Sequence, residues 1–352
     1  MSLPAIDNRY LTDILVELLN IPSPTGFADA AIARVAEELD ALGIAHARTR
    51  KGALAATLPG RAQDAPRALT GHVDTLGAMV KEIKANGRLK LTKIGGFAWN
   101  TVEGEGCRVF TRSGRVVSGS LLLNQASAHV YGQAVNKTLR DDAAMEVRLD
   151  ERTSSSVMTR ALGIEVGDFV AFDPRVTVTD SGFIRSRHLD DKAGVAAMLA
   201  AAKAMNDAGL TPAQRTTLHF SNYEEVGHGA ASGFPPDLAE LVAVDMAAVG
   251  AGQTSDEFHV TICVKDSGGP YHHGLSNRLR ILADRHEIPY KVDIYPYYGS
   301  DGEAFWRAGG DVKVALIGPG VDASHSYERT HMDALIGATR LILAYLLDET
   351  GY

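Results

Sequence analysis

An α/β sheet domain interrupted by an all-β insertion is the fold class this sequence predicts, on three observations. Helical periodicity alternates with strand-like runs near the start; hairpin patterns take over from about residue 76; and the helix and strand alternation returns at Lys192. With 352 residues, 45% of them hydrophobic, the chain has material for one large domain or two ordinary ones with packed cores.

Taken in order, Leu11, Ile14, Leu15, Leu18 and Leu19 fall on one helical face, and "FADAAIARVAEELDALG" (27–43) repeats the pattern before stopping at Gly43. "PRALTGHVD" reads as a strand running into a loop. "MVKEIKANGRLKLTKI" is two alternating runs about an Asn86-Gly87 turn, and "CRVFTRSGRVVSGSLLL" repeats that design about Ser113-Gly114. The expected divisions are therefore 1–75, 76–183 and 184–352, the outer two forming one domain around the insert. In the last part, strands are predicted in "TTLHFSN" (216–222), "LVAVDM" (241–246), "YKVDIY" (290–295) and "VKVALIG" (312–318). Helices are predicted near 193–208, 274–286 and 301–308, and "LIGATRLILAYLLDE" closes the fold.

A formal net charge of −8 and the lack of a basic stripe with interleaved aromatics argue against a nucleic-acid partner. Cys107 and Cys263 stand far apart, outside any C-x-x-C arrangement, so they read as buried small hydrophobes and not as a disulfide framework or thiolate zinc site. The first twenty residues carry acidic groups and helical spacing instead of a signal sequence, and no stretch is long or apolar enough to span a membrane. A soluble, cytoplasmic protein is expected.

In open α/β sheets functional side chains collect where strands end. Such ends carry His72 and Asp74 in "GHVD", Asp190 and Asp191 in "HLDDKAG", Glu224 and Glu225 in "SNYEEVGHG", Asp245 in "LVAVDMAAVG", and His325, Glu328 and His331 in "VDASHSYERTHMDAL". Each has a plain structural alternative: a capped turn for His-x-Asp, a helix N-cap for the aspartate pair, an exposed turn for Glu-Glu. Adjacent glutamates on a regular strand point to opposite faces, so both reach one site only if the strand has broken into a turn. Asp245 follows a wholly apolar strand, where an unpaired carboxylate is costly. Together the residues offer imidazoles and carboxylates without sulfur. That donor set suits Zn, Co or Mn, and is enough for two ions sharing a carboxylate, holding a hydroxide and polarising a carbonyl.

The order H-x-D, D-D-K-x-G, E-E-x-G, a strand-end D and H-S-x-x-E resembles the M42 family of metallo-aminopeptidases, within the co-catalytic dinuclear peptidase clan. "NIPSPTG", the β insertion after the H-x-D strand and "YYGSDGEAF" extend the likeness over nearly the whole chain. The resemblance implies a mixed sheet flanked by helices, of the aminopeptidase/phosphorylase-like kind, with a small β-barrel-like insert used for dimerisation. It implies His72, Asp190 and Asp245 on one metal and Asp190, Glu225 and His325 on the other, Zn foremost. Glu224 would be the general base and Asp74 the partner that orients His72. It also implies a cis peptide between Asp190 and Asp191, with Asp191 capping or bracing the helix that follows. His331 is the fallback for His325 and otherwise begins the last helix. The substrate is expected to be a short peptide and the assembly a homo-oligomer, from dimer to dodecamer.

"VDASHSYERTHMDAL" and "SRHLDDKAGVAA" are similar to a proteobacterial M42 branch associated with osmoprotectant N-acetylglutaminylglutamine amide gene clusters, which implies a modified dipeptide as substrate. "GPYHHG" departs from commoner members and makes His272 and His273 pocket candidates or exposed loop residues. The rivals are an amide deacylase, a glycosidase and a non-catalytic scaffold. A glycosidase needs two opposed carboxyl groups and leaves the other ligand-type residues unexplained. A scaffold would have lost ligands that are all present here.

Overall fold

Strand Ala62–His72 runs up the middle of the main sheet, between Gln214–Ser221 and Glu240–Val244, parallel to both. Glu240–Val244 in turn runs parallel to Lys313–Asp322. The register pairs Ser221 with His72, Ala243 with Thr70 and Val244 with Ile317. The C-terminal ends of these strands thus stand in one row, and the residues just beyond them share a crevice. The computed structural model describes residues 2–350. Among these, thirteen strands form this mixed sheet, bounded on one side by Leu54–Leu58 and His46–Arg48 and extended on the other by Glu328–His331, Phe183–Ser186 and Thr177–Val178.

Helices cover the sheet where the periodicity placed them. Asn8–Asn20 buries Leu11, Ile14, Leu15, Leu18 and Leu19, and starts at Asp7, whose carboxylate accepts the Tyr10 amide at 3.0 Å. Asp29–Ala41 buries Ala31, Ile32, Val35 and Leu39 before the chain turns at Gly43. Leu189–Asp207 is buried on nearly every side. Its alanine-rich sequence follows, because small side chains let Asn8–Asn20, Met332–Leu347 and the His72 strand approach it closely. Each fully buried leucine in these faces contributes roughly 1.5–3 kcal/mol over its exposed state.

The insert is a closed barrel of six strands, ordered Gly77–Ile83, Leu89–Ile94, Met145–Leu149, Val116–Leu123, Gly106–Phe110 and Phe169–Phe172. Both predicted hairpin turns are present, with Gly87 and Gly114 at positive φ. Alternating residues fill a separate core, including Val80, Leu91, Val109, Leu121, Val147 and Val170. Past the barrel, Thr177–Val178 and Phe183–Ser186 already pair with the large sheet. The last predicted strand runs further than its apolar stretch, to Asp322, because Val249 and Asp322 still pair beyond the glycine and proline at 318–320. Cys107 and Cys263 are buried and unbonded to one another. No described helix is long and apolar enough to cross a membrane.

Candidate active site

His72 is the last residue of its strand and 1% exposed. Its Nδ1 is 2.8 Å from the backbone carbonyl of Asp74, which leaves Nε2 facing Asp190 Oδ1 at 3.1 Å. The Asp74 carboxylate lies 3.8 Å from the ring, and the carbonyl of the same residue orients it instead. The carboxylate accepts Thr25 Oγ1 at 2.6 Å and the amides of Glu224 and Glu225 at 3.3 and 3.4 Å, so it braces the glutamate turn.

The aspartate pair opens helix Leu189–Asp207 with non-helical backbone and a cis peptide between Asp190 and Asp191. The two carboxylates meet different partners. Asp190 presents Oδ1 to His72 and Oδ2 to His325 Nε2 at 3.3 Å, with Ser324 Oγ also at 3.3 Å. Asp191 accepts the Gly194 amide at 3.1 Å as a helix cap, and its other oxygen accepts the His72 amide at 3.3 Å. The glycine of D-D-K-x-G is required here on steric grounds: a Cβ at Gly194 would sit 2.3 Å from Asp191 Oδ1 and 2.6 Å from the Val244 carbonyl. The lysine of the same motif is fully buried and donates to the carbonyls of Leu18 and Ile21 at 2.8 and 2.7 Å, tying the site helix to the end of the first helix.

After Ser221 the strand breaks, with Tyr223 at φ 78° and Gly227 at φ 86° flanking a single 3-10 turn, Glu224–Val226. That break lets both glutamates reach one crevice. Glu224 Oε2 lies 3.7 Å from His72 Nε2, and Glu225 Oε2 lies 3.6 Å from His325 Nε2. Asp245, one residue past its strand, completes a group with His72 and Asp190 in which one donor atom of each lies within 4.8 Å of the others. Glu225 Oε1 and Asp245 Oδ1 are buried and without a hydrogen-bond partner. Orphaned buried carboxylate oxygens are costly unless a cation meets them, so the donor set fits divalent metal.

The electrostatics carry the same message. Burial pushes Asp245 up to about 7 and Glu225 up to about 8, with the Asp190 charge adding to both. Burial also raises Asp190, yet hydrogen bonds from His325 and His72 win and hold it well below the usual carboxylate range. Burial disfavours charge on His325, but Asp190 and Glu225 keep it protonated up to about 10. The two imidazoles thus flank Asp190 on either side.

The crevice opens into a cavity of about 450 Å³ whose walls include Glu224, Glu225, Asp245, Tyr298, Arg307 and His325. His331 is not among its walls. It is the N-cap of the last helix, with its ring against Phe183. His272 likewise caps its helix by accepting the Leu275 amide, and His272 and His273 are exposed and not among the walls of this cavity. Glu328 stands behind the crevice, where its carboxylate accepts the amides of Asp190 at 3.1 Å and His325 at 3.0 Å. The H-S-x-x-E spacing was the available signal for that bracing role; Thr25 and Ser324 lie in the quoted "NIPSPTG" and "VDASHSYERTHMDAL" segments, but no spacing marked their contacts with Asp74 and Asp190.

A mixed sheet with an inserted barrel thus brings a buried cluster of histidine and carboxylates, of a kind that could hold a metal ion, to its row of strand ends. The chain belongs to the M42 peptidase family, whose model, M42 glutamyl aminopeptidase, matches residues 52–341. It is 49% identical over 338 residues to YhfE of Bacillus subtilis, which carries an aminopeptidase designation, covering 96% of this chain and 97% of that one. It is 25% identical to the glutamyl aminopeptidase of Lactococcus lactis over 331 residues, 90% of each chain. The fold is shared with the TET aminopeptidase of Thaumarchaeota archaeon SCGC AB-539-E09 (TM-score 0.87, 18% identity, 96% of each chain). It is also shared with the Pyrococcus horikoshii TET1 peptidase (TM-score 0.85, 20% identity, 96% of this chain and 99% of that one).

Proposed function

We propose that the protein is a dinuclear aminopeptidase that removes the first residue of short peptides, with acidic first residues preferred. The observation that carries this reading is the position of Asp190, whose two carboxylate oxygens face His72 on one side and His325 on the other. His72, Asp190 and Asp245 would hold one cation, and Asp190, Glu225 and His325 the second. Zinc suits the donors best, with cobalt or manganese as alternatives. When bound, two such ions supply Lewis acidity to the scissile carbonyl and acidify the attacking water.

The remaining work falls to the chain itself. Glu224, beside the ligand groups and open to the cavity, takes the proton of the attacking water and delivers it to the departing amine nitrogen. Asp74 holds the amides of both glutamates, and Glu328 those of Asp190 and His325. Arg307 is the only arginine or lysine among the described cavity walls. Its guanidinium lies 3.6 Å from Glu303 and is largely exposed, available to a substrate carboxylate. The glutamyl aminopeptidase name of the Lactococcus relative agrees with that assignment.

A homo-oligomer is supported by relatives of the same fold, described as a dodecamer and as a tetrahedron or octahedral shell. Exposed Val130, Tyr131 and Leu139 on the barrel's 124–144 excursion offer apolar surface for it. Unpaired buried cysteines suit a cytoplasmic setting.

The test is hydrolysis of glutamyl, aspartyl, leucyl and lysyl anilides and short peptides by metal-stripped protein reloaded with Zn, Co or Mn, with metal content measured alongside. Activity should require metal and favour the acidic substrates. Full activity after complete chelation, or a wild-type protein that binds no metal, would refute the proposal.

A further inference from the structure

We infer that Asp301 is a positioning residue for the catalytic base, a single carboxylate that clamps both ends of the loop carrying Glu224 and Glu225. The inference rests on the reading of Glu224 as base. Asp301 begins helix Asp301–Arg307, is 3% exposed, and belongs to the "YYGSDGEAF" segment that contributes none of the proposed ligands. Its Oδ2 accepts the hydroxyl of Ser221, the last residue of the strand before the loop, and that of Thr70 at 3.4 Å. Its Oδ1 accepts the Ala230 amide at 2.7 Å, where the loop returns.

Between these anchors, residues 222–229 lack strand pairing and pass through two left-handed positions, so local propensity does little to hold them. The bonds from the loop's middle to Asp74 are long, 3.3 and 3.4 Å, whereas the anchor at Ala230 is short. The loop also returns too close to Asp301 to tolerate a side chain: a Cβ at Gly229 would sit 2.2 Å from Oδ1. Lys51 adds a tie from outside, donating to the carbonyls of His228 and Gly229. Neither glutamate side chain bonds Asp301, so any effect on the base passes through the loop. A misplacement of about 1 Å at a proton-transferring group costs on the order of 10²-fold in rate.

The test uses the full-length protein with Asp301→Ala, Asp301→Asn, Ser221→Ala and, as a destabilised control, Glu240→Gln. Glu240 is a buried partner of Arg278 at the opposite end of its strand from Asp245. Hydrogen exchange of the metal-free protein reads the loop directly and needs neither metal nor turnover. Asp301→Ala should speed exchange of amides 222–231 at least about tenfold and lower kcat on the order of 10²-fold, with KM nearly unchanged. Asp301→Asn keeps a carbonyl oxygen for Ala230 and should recover most of both. Should Asp301→Ala fail to fold, Ser221→Ala, which removes one bond of the clamp, should show the same loop-confined change on a smaller scale. Unchanged exchange in 222–231 overturns the inference, as does exchange that rises alike in the loop and the sheet, the pattern expected of Glu240→Gln. Failure of the base assignment is read separately, from Glu224→Gln retaining full activity.

Discussion

Replacing Gly194 by alanine adds one methyl group at the most crowded point of the D-D-K-x-G motif. The new Cβ would lie 2.3 Å from Asp191 Oδ1, 2.7 Å from Oδ2 and 2.6 Å from the carbonyl of Val244, a backbone atom that cannot swing aside. A carbon needs roughly 3.5 Å, so the overlap is about 1 Å on two fronts. Overpacking of that kind costs roughly 1–3 kcal/mol, and displacing Asp191 from the Gly194 amide forfeits a cap worth about 1 kcal/mol. The helix-propensity gain of alanine returns about 1 kcal/mol. The net expectation is a loss of about 1–3 kcal/mol, which at an unfolding entropy near 0.7 kcal/mol/K for a chain of this length lowers Tm by about 1.5–4 °C. Because Asp190 is joined directly to the displaced residue, zinc affinity should fall about 10–100-fold. Thermal melts and competitive zinc titration measure the two effects. Gly337→Ala, in the last helix with only ordinary contacts at 3.4 Å, should instead hold or raise Tm. A Gly194→Ala protein that melts at or above wild type and binds zinc normally refutes the steric reasoning.

Three further outcomes are expected. Glu224→Gln should bind metal like wild type and lose about 10²–10⁴-fold in kcat; an active variant would move the base elsewhere. Metal ligands bind deprotonated, and in the metal-free site Asp245 titrates near 7, Glu225 near 8 and His325 near 10. Binding at pH 7 should therefore expel protons, and affinity should rise from pH 6 to 8. Calorimetry in buffers of different ionisation enthalpy checks the sign, and a buffer-independent heat contradicts it. Arg307→Ala should cut kcat/KM for glutamyl substrates at least about tenfold while sparing leucyl ones; equal losses on both would deny it a role in selectivity.

Residues placed by local rules were legible in the sequence. His72, Asp245 and the Glu224-Glu225 turn each sit where an apolar run stops, and parallel pairing brings those stops into one row. The helical faces of the first two helices and the turns at Gly87 and Gly114 were readable for the same reason. What stayed hidden depends on contacts between distant parts of the chain. Asp301 reaches back 71 residues to Ala230 and 80 to Ser221. No periodicity records such a bond. Asp74 shows the finer limit: H-x-D spacing marks the residue, but only the turn geometry decides whether its carbonyl or its carboxylate meets the ring.

The barrel is more than a passenger between the two halves of the sheet. The Nδ1 of His325 rests against the carbonyl of Gly96, in the connection that follows strand Leu89–Ile94. One wall of the inserted domain thereby fixes the tilt of an imidazole encoded 229 residues later. An enzyme engineer who trimmed the insert to a short linker would keep every side chain of the candidate site and still lose the aim of one. The same dependence makes the Gly95-Gly96 corner, though it belongs to the insert, a part of the site it overlooks.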